Sequence, residues 1–130
     1  VVTLHRPSNV DSAEGLKQIV TAFEILQKEL KLVFPLPPRT RKNLENSELG
    51  GRLMSLEGLV LIEPLGYIDF LHLTANAAVV ITDSGGIQEE TTVLGIPCMT
   101  LRGNTERPVT ITEGTNRLIK LTASDIVGCA

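Results

Sequence analysis

Aromatic side chains are scarce in this sequence, which has no Trp, one Tyr and three Phe among its 130 residues. Its 12 Lys and Arg residues are outnumbered by 15 Asp and Glu residues, and they are scattered along the chain rather than clustered. Nucleic-acid-binding domains usually carry a basic stripe, often with aromatic side chains between the basic residues. The composition therefore argues against a nucleic-acid partner.

Long apolar runs and paired cysteines are also missing. No run approaches the ~18 apolar residues that a membrane-spanning helix needs, so we expect no membrane partner. Cys98 and Cys129 stand alone, without CxxC spacing, and no cluster of His, Cys and Asp has the spacing of a metal site. We predict a buried, reduced thiol at Cys98, which is typical of a cytoplasmic protein.

Short β-branched runs alternate with longer stretches of helical period, the pattern of βαβ units. The predicted strands cover residues 1–4, 32–34, 59–62, 77–82, 98–101 and 117–121, and the predicted helices cover 16–30, 42–53, 68–76 and 87–94. The prolines at 35, 37 and 38 are expected to end the second strand, and Gly50 and Gly51 the second helix. Gly95 is expected to end the last helix in a left-handed conformation.

The strand runs show no in–out alternation, which indicates burial on both faces and therefore a parallel sheet. The predicted fold class is α/β, a Rossmann-like, doubly wound parallel sheet in one domain over residues 1–130. Val1 stands directly inside a predicted strand, so we expect the domain to be a piece of a longer protein. In such a fold, ligands bind at the carboxyl ends of the strands.

The loop after the fourth predicted strand has the chemistry of an anion site. Gly85 and Gly86 let a ligand approach the backbone, and Ser84 can cap the following helix. Unpaired N–H groups and the helix dipole then favour a phosphate, although Ser-Gly-Gly is also compatible with a plain tight turn. The pattern is neither GxGxxG nor a P-loop, so it implies neither a nicotinamide cofactor nor ATP.

Glu90 makes a nucleotide a better candidate than bare phosphate. A carboxylate beside a phosphate repels it, unless the carboxylate accepts hydrogen bonds from hydroxyls further along the ligand. Ribose hydroxyls meet that need, whereas Glu89 is more simply a solvated helix residue.

Two other loops at the same predicted edge carry candidate side chains. Arg6 can fork onto a phosphate, and His5 can donate to a developing negative charge or serve as an ordinary loop histidine. Arg102 and Arg107 follow the fifth strand, where ligand binding and a contact with Glu106 inside the loop remain equally open. His72, in a predicted helix, is interpreted as a surface or satisfied core residue.

Read together, these loops resemble the non-hydrolysing UDP-N-acetylglucosamine 2-epimerase family. Any one motif is weak, but the ordered set is specific and extends over nearly the whole chain. The matching pieces are His5-Arg6 with Asn9, EPLGY at 63–67 with Asp69-Phe70, DSGGIQEE at 83–90, LGIP at 94–97, TERP at 105–108 and EGTN at 113–116.

The resemblance implies a glycosyltransferase-B-like fold of two Rossmann-type domains, of which this chain is most of the second, truncated at both ends. It also implies a reversible conversion of UDP-N-acetylglucosamine to UDP-N-acetylmannosamine, by elimination and re-addition of UDP and without a cofactor. Most acid–base carboxylates of the family belong to the first domain. We therefore expect the chain to need that missing domain as a partner, to be inactive alone, and to form a homodimer as the full-length enzyme.

Carried over by motif, Ser84, Gly85 and Gly86 hold the diphosphate together with Arg6 and Arg107. The resemblance further implies that Glu90 holds the ribose hydroxyls, that Phe70 flanks the uracil, and that His5 acts catalytically near the departing UDP. One departure stands at Pro37, where the family usually has a histidine near a regulatory UDP-sugar site. The alternatives are a UDP-sugar glycosyltransferase of the same fold and a nucleotide-binding module without turnover.

Overall fold

Six strands and five helices form within the residues that the computed structural model describes, which are 1–4, 13–46, 48–101, 114 and 116–119. The strands are β1 (Val2–Thr3), β2 (Leu32–Pro35), β3 (Leu59–Ile62), β4 (Val80–Thr82), β5 (Cys98–Leu101) and β6 (Asn116–Ile119). The helices are α1 (Ala13–Leu26), α2 (Pro38–Glu45), α3 (Glu48–Met54), α4 (Tyr67–Ala75) and α5 (Gly85–Leu94).

All pairings between these strands are parallel. Hydrogen bonds join β1, β4, β5 and β6 in that order, and they join β2 to β3. Because β1 lies beside β2, the spatial order is β3-β2-β1-β4-β5-β6. This is the strand order of a Rossmann fold, and it confirms the predicted parallel α/β architecture.

The helices divide into two groups that follow from the strand order. The chain moves outward from β1 to β3 through α1, α2 and α3, and it then returns to β4 and moves the other way through α5. Since βαβ crossovers are right-handed, these two directions place the two groups on opposite faces of the sheet. In agreement, α3 packs against α1 and α2, whereas α4 packs against α5.

The core lies between the first helix group and the sheet. The apolar stripe that the sequence shows on α1 is buried, and Phe23 meets Phe34 of β2 edge to face with ring centroids 6.1 Å apart. Full burial of each large apolar side chain contributes about 1.5–3 kcal/mol, so this stripe stabilises the first half of the sheet. The helix ends at Leu26, four residues before the predicted end at Leu30, which still packs against the core.

The prolines end the second strand, as predicted, but the second helix begins among them, four residues earlier than predicted. Pro35 is the last residue of β2, and Pro38 begins α2 instead of only blocking continuation. The N–H groups of Leu32 and Leu36 donate to the carbonyls of Gly58 and Ile62, so the position where Pro35 lacks an N–H faces the other side of the strand. A proline in the first turn of a helix loses no hydrogen bond, because the N–H there has no helical partner.

The glycine prediction for the second helix was also wrong. Residues 42–53 do not form one helix ended by Gly50 and Gly51; two helices are present, and both glycines lie within α3. A Cβ on Gly50 would overlap the carbonyl oxygen of Leu44, so glycine lets α3 approach α2 closely. Gly51 is exposed, and a Cβ there would meet nothing within 4 Å.

Strand boundaries also differ from the predicted ones, most clearly for the fourth and sixth strands. Residues 77–79 were expected in the fourth strand, but β4 begins at Val80, because its partner β5 begins only at Cys98, opposite Val80. The sixth strand begins one residue earlier than predicted, since Asn116 pairs with Cys98. The prediction for α4 was nearly correct, and Gly95 ends α5 with φ of 71°, as predicted.

The neighbouring glycines of α3 give opposite expectations for stability. Gly51→Ala should raise the free energy of unfolding by about 0.5–1 kcal/mol, because alanine lowers the backbone entropy of the unfolded chain and meets no atom. Gly50→Ala should lower it, because the methyl group forces α2 and α3 apart. Urea denaturation of both variants measures the difference, and equal effects of the two would contradict this packing.

Candidate functional site

The segment between β4 and α5 lies where the strand order reverses, which is the usual ligand position in this fold. Thr3 of β1 pairs with Thr82 of β4, so the two strands end at the same edge of the sheet. The chain then continues through Asp83, which is buried, to Ser84. The predicted anion site is therefore positioned at the topological switch point.

Helix α5 begins two residues earlier than predicted. Ser84 is the N-cap residue, with extended backbone at φ of −90° and ψ of 134°, and Gly85 and Gly86 form the start of the first turn. The first N–H groups of a helix have no partner within the helix, and the helix dipole adds partial positive charge at this end. Gly85 and Gly86 thus belong to the helix and present backbone N–H donors themselves.

The predicted capping role of the Ser84 side chain was wrong. The Ser84 hydroxyl makes no capping hydrogen bond to the helix. The backbone N–H of Ser84 donates instead to Oγ1 of Thr82, at 3.0 Å, and this bond fixes the turn from the strand side. The hydroxyl is consequently not committed to the first turn of α5.

Nothing within the described residues requires a glycine at position 86. Its φ is not positive, and a Cβ would meet no heavy atom within 4 Å. Alanine favours helices by up to about 1 kcal/mol, so glycine here is locally unfavourable. A close approach of something outside the described chain, such as a ligand, gives glycine a reason to be there.

Beneath this helix start lies a row of buried polar side chains to which sequence analysis assigned no role. Asn116 accepts a hydrogen bond from the hydroxyl of Thr100 and donates one to Oε1 of Gln88, at 2.9 Å. Nε2 of Gln88 donates to the carbonyl oxygen of Ser84, at 3.4 Å. Gln88 and Thr100 are fully buried and Asn116 is 2% exposed, so the row links β5, β6 and α5 inside the protein.

Cys98 adjoins this row, and the prediction that it is buried is confirmed. Its sulfur lies 3.8 Å from Oγ1 of Thr100. Burial raises the pKa of the Cys98 thiol, because a thiolate loses solvation in the interior, although hydrogen bonds with Thr91 and Thr100 act in the opposite direction. A buried thiol with a raised pKa is a poor nucleophile, and Cys98 is therefore a structural residue.

Two more predicted site residues, Glu90 and Phe70, lie on α5 and on the helix that packs against it. Glu90 is half-buried in the second turn of α5, and its carboxylate has no hydrogen bond or ion pair within the described part of the chain. Phe70 is half-buried on α4, which packs against α5. The fold thus packs the helix of Phe70 against the helix of Glu90 and the glycines.

Three predicted site residues, His5, Arg6 and Arg107, lie outside the described residues, as do Arg102 and Cys129. His72 is exposed, consistent with a surface residue, and Pro37 is the N-cap residue of α2 without a side-chain hydrogen bond. Within the described ranges, no helix is long and apolar enough to cross a membrane.

A cavity of about 230 Å³ lies elsewhere, next to α2, α3 and β3. The residues that line it include Leu36, Leu44, Gly51 and Met54, but none of the predicted site residues. The candidate site at α5 is therefore separate from this cavity.

The strand order defines a Rossmann-type fold, and the predicted anion site lies at its switch point. The family model described as UDP-N-acetylglucosamine 2-epimerase matches residues 1–130. The chain belongs to this family, which confirms the resemblance found from its motifs.

Relatives agree with this assignment. A UDP-N-acetylglucosamine 2-epimerase of Methanocaldococcus jannaschii is 47% identical over 121 residues, covering 92% of this chain and 33% of the relative. A UDP-2,3-diacetamido-2,3-dideoxy-D-glucuronate 2-epimerase of Pseudomonas aeruginosa is 38% identical over 131 residues, covering 100% of this chain and 35% of the relative. The chain thus spans about a third of the length of the relatives it matches.

Solved structures show the same fold. The M. jannaschii UDP-N-acetylglucosamine 2-epimerase in complex with UDP-N-acetylglucosamine and UDP has a TM-score of 0.91 at 44% identity, covering 98% of this chain and 36% of that one. An Escherichia coli heptosyltransferase with ADP has a TM-score of 0.63 at 14% identity, covering 95% of this chain and 39% of that one, and this likeness concerns the fold alone. The glycosyltransferase-B-like fold class is thereby confirmed.

Proposed function

We propose that this chain is the UDP-binding, C-terminal Rossmann-like domain of an epimerase that interconverts UDP-N-acetylglucosamine and UDP-N-acetylmannosamine by elimination and re-addition of UDP. The observation that carries the proposal is the start of α5, where Ser84, Gly85 and Gly86 face the switch point of the sheet. Membership in the epimerase family supplies the reaction class.

The diphosphate is the part of the ligand that suits this helix start. Backbone N–H groups in the first turn of α5 donate to phosphate oxygens, and the positive end of the helix dipole stabilises their charge. Gly86 leaves the backbone uncovered, so an oxygen can reach hydrogen-bond distance. The Ser84 hydroxyl, which makes no capping bond, is a further donor.

Glu90 and Phe70 suit the nucleoside. Glu90 lies one turn beyond the glycines, and its carboxylate can accept hydrogen bonds only from groups that carry hydrogen, such as ribose hydroxyls. Phe70 belongs to the helix packed against α5, and its ring offers an apolar surface to uracil. The support for these roles is that Glu90 follows the glycines by one turn of α5 and that the helix of Phe70 packs against α5.

His5, Arg6 and Arg107 complete the proposal through their motifs. His5 and Arg6 follow β1 in the sequence, and β1 ends beside β4. We assign His5 to stabilisation of the departing UDP and the two arginines to its diphosphate, because a guanidinium forks onto phosphate oxygens.

UDP is common to the substrates named for the relatives, whereas their sugars differ. The conserved part of the ligand therefore corresponds to the site proposed in this chain, and choice of sugar falls to other groups. The heptosyltransferase likeness shares only the fold, so an epimerase is favoured over a glycosyltransferase. We further infer a cytoplasmic homodimer for the full-length enzyme, on the family resemblance and the reduced Cys98.

The first test concerns the division of the active site between domains. The 130-residue chain alone should not epimerise UDP-N-acetylglucosamine, whereas the full-length protein that contains it should do so. The reason is that the acid–base carboxylates are expected in the domain that is absent here. Proton NMR of the sugar anomeric signals measures both reactions, and turnover by the isolated chain would contradict the proposal.

The second test concerns Glu90. Glu90→Ala should weaken UDP binding by about 10–150-fold, equivalent to roughly 1.5–3 kcal/mol, since charge-assisted hydrogen bonds to ribose are lost. Pyrophosphate binding should stay unchanged or improve slightly, because a nearby negative charge is removed. Calorimetry with both ligands measures the two effects.

Glu89→Ala is the matched control for that change. It removes the same charge from the neighbouring position of α5, where the side chain is exposed. UDP affinity should remain close to that of the wild type. An equal response of UDP and pyrophosphate to Glu90→Ala would rule out the ribose role.

The third test concerns Gly86. Gly86→Ala should leave the free energy of unfolding unchanged or raise it by up to about 1 kcal/mol, because the added methyl group meets no atom of the described chain. UDP binding should nevertheless fall by roughly 10–150-fold, as expected when a charged hydrogen bond is lost. Gly51→Ala, an exposed glycine of α3, should keep full UDP affinity. If Gly86→Ala bound UDP as well as Gly51→Ala, the diphosphate would not lie on this turn.

A further inference from the structure

The hydrogen bonds of the buried row below α5 can form in only one direction, from donor to acceptor. The Ser84 carbonyl can only accept a hydrogen bond, so the Gln88 amide must turn its NH₂ group toward it. The Gln88 oxygen then faces Asn116, which in turn must present its own NH₂ group. The Asn116 oxygen is left for Thr100, whose hydroxyl donates to it.

Each member of the row depends on the next because all of them are buried. A flipped Gln88 or Asn116 amide would face oxygen against oxygen or NH₂ against NH₂. An unsatisfied buried polar group costs about 1–3 kcal/mol, so a single flip is strongly disfavoured. The row is therefore fixed from Thr100 in β5 to the Ser84 carbonyl at the start of α5.

The orientation of the Ser84 carbonyl also sets a backbone donor. A trans peptide is planar, with its C=O and N–H groups pointing in opposite directions, and no cis bond is present within the described residues. Ser84 is the N-cap residue of α5, so its carbonyl points along the helix toward Gln88 and the N–H of Gly85 points back past the helix start. This N–H is one of the donors that the first turn presents to an anion.

We infer that Gln88, Asn116 and Thr100 are positioning residues for the nucleotide site, acting by joining the first turn of α5 to β5 and β6. The inference rests on the proposed function, since it takes the ligand of this helix start to be the diphosphate of UDP. None of the three side chains reaches the ligand, because all are buried beneath the helix. Their effect on binding comes from holding the first turn of α5, with its N–H donors, in place against β5 and β6.

Two variants of the row separate its effect on UDP affinity from its effect on stability. Gln88→Met alone removes the acceptor to which the Asn116 NH₂ group donates and should lower the melting temperature. Gln88→Met combined with Asn116→Leu replaces both amides by apolar groups of similar shape and should recover part of that loss, since only the Thr100 hydroxyl then loses its acceptor. UDP affinity should stay reduced by roughly 2–12-fold in both, the range for one neutral hydrogen bond.

Thermal unfolding and calorimetry with UDP on wild type and both variants test the inference. Recovery of stability without recovery of affinity supports positioning. Wild-type affinity in the double variant, with the wild type binding UDP, would overturn the inference and leave the proposed function intact. Failure of the folded wild type to bind UDP would overturn the proposed function, and the inference with it.

A milder pair of variants covers the case in which the double variant does not fold. Thr100→Val keeps the shape but removes the hydroxyl, so UDP affinity should fall by roughly 2–12-fold. Thr100→Ser keeps the hydroxyl and loses a buried methyl group, so stability should fall while UDP affinity stays within about twofold of the wild type. If the two Thr100 variants lost UDP affinity in proportion to their loss of stability, the inference would be overturned.

Discussion

The parallel pairing of β1 with β4 is the constraint on which the rest of the molecule depends. The N–H of Ile81 donates to the carbonyl of Val1, at 2.9 Å, and that of Asp83 to Thr3, at 3.4 Å. These bonds join the half of the sheet that continues to β3 with the half that continues to β6. Because the chain departs in opposite directions from this pair, the strand ends leave a crevice between them, and α5 starts at its border.

Local sequence at the start of α5 is unfavourable for a helix. Two glycines in the first turn lower helix propensity, and the N-cap hydroxyl makes no capping bond. The buried row of Gln88, Asn116 and Thr100 offsets this by joining the helix to β5 and β6. The helix start therefore owes its position to tertiary contacts, while its donors stay uncovered. Such a departure from local preference is expected where a ligand is bound.

Much of the fold followed from local patterns in the sequence. Continuous apolar runs identified all of the strands in the described residues, the stripe on α1 identified its buried face, and Gly95 marked the end of α5. Errors arose where one residue type has two uses. Proline blocks a helix but also starts one, as Pro38 shows, and glycine ends a helix but also permits the close contact of α2 with α3 at Gly50.

The candidate site, too, was only partly predictable from the sequence. Ser84, Gly85, Gly86 and Glu90 were identified from a short motif, because glycines after a strand have a local physical meaning. Gln88 and Asn116 are 28 positions apart, and Thr100 lies 16 before Asn116, so their contacts exist only in the folded chain. No local pattern distinguishes such residues from ordinary polar ones, and only the tertiary structure shows that they meet.

A crystal structure of this chain with UDP tests the central claim most directly, since the claim concerns where one ligand lies. The account predicts the diphosphate over the first turn of α5, within hydrogen-bond distance of the Gly85 or Gly86 N–H groups, and the ribose next to Glu90. UDP bound instead in the cavity beside α2, α3 and β3, with the first turn of α5 empty, would contradict it.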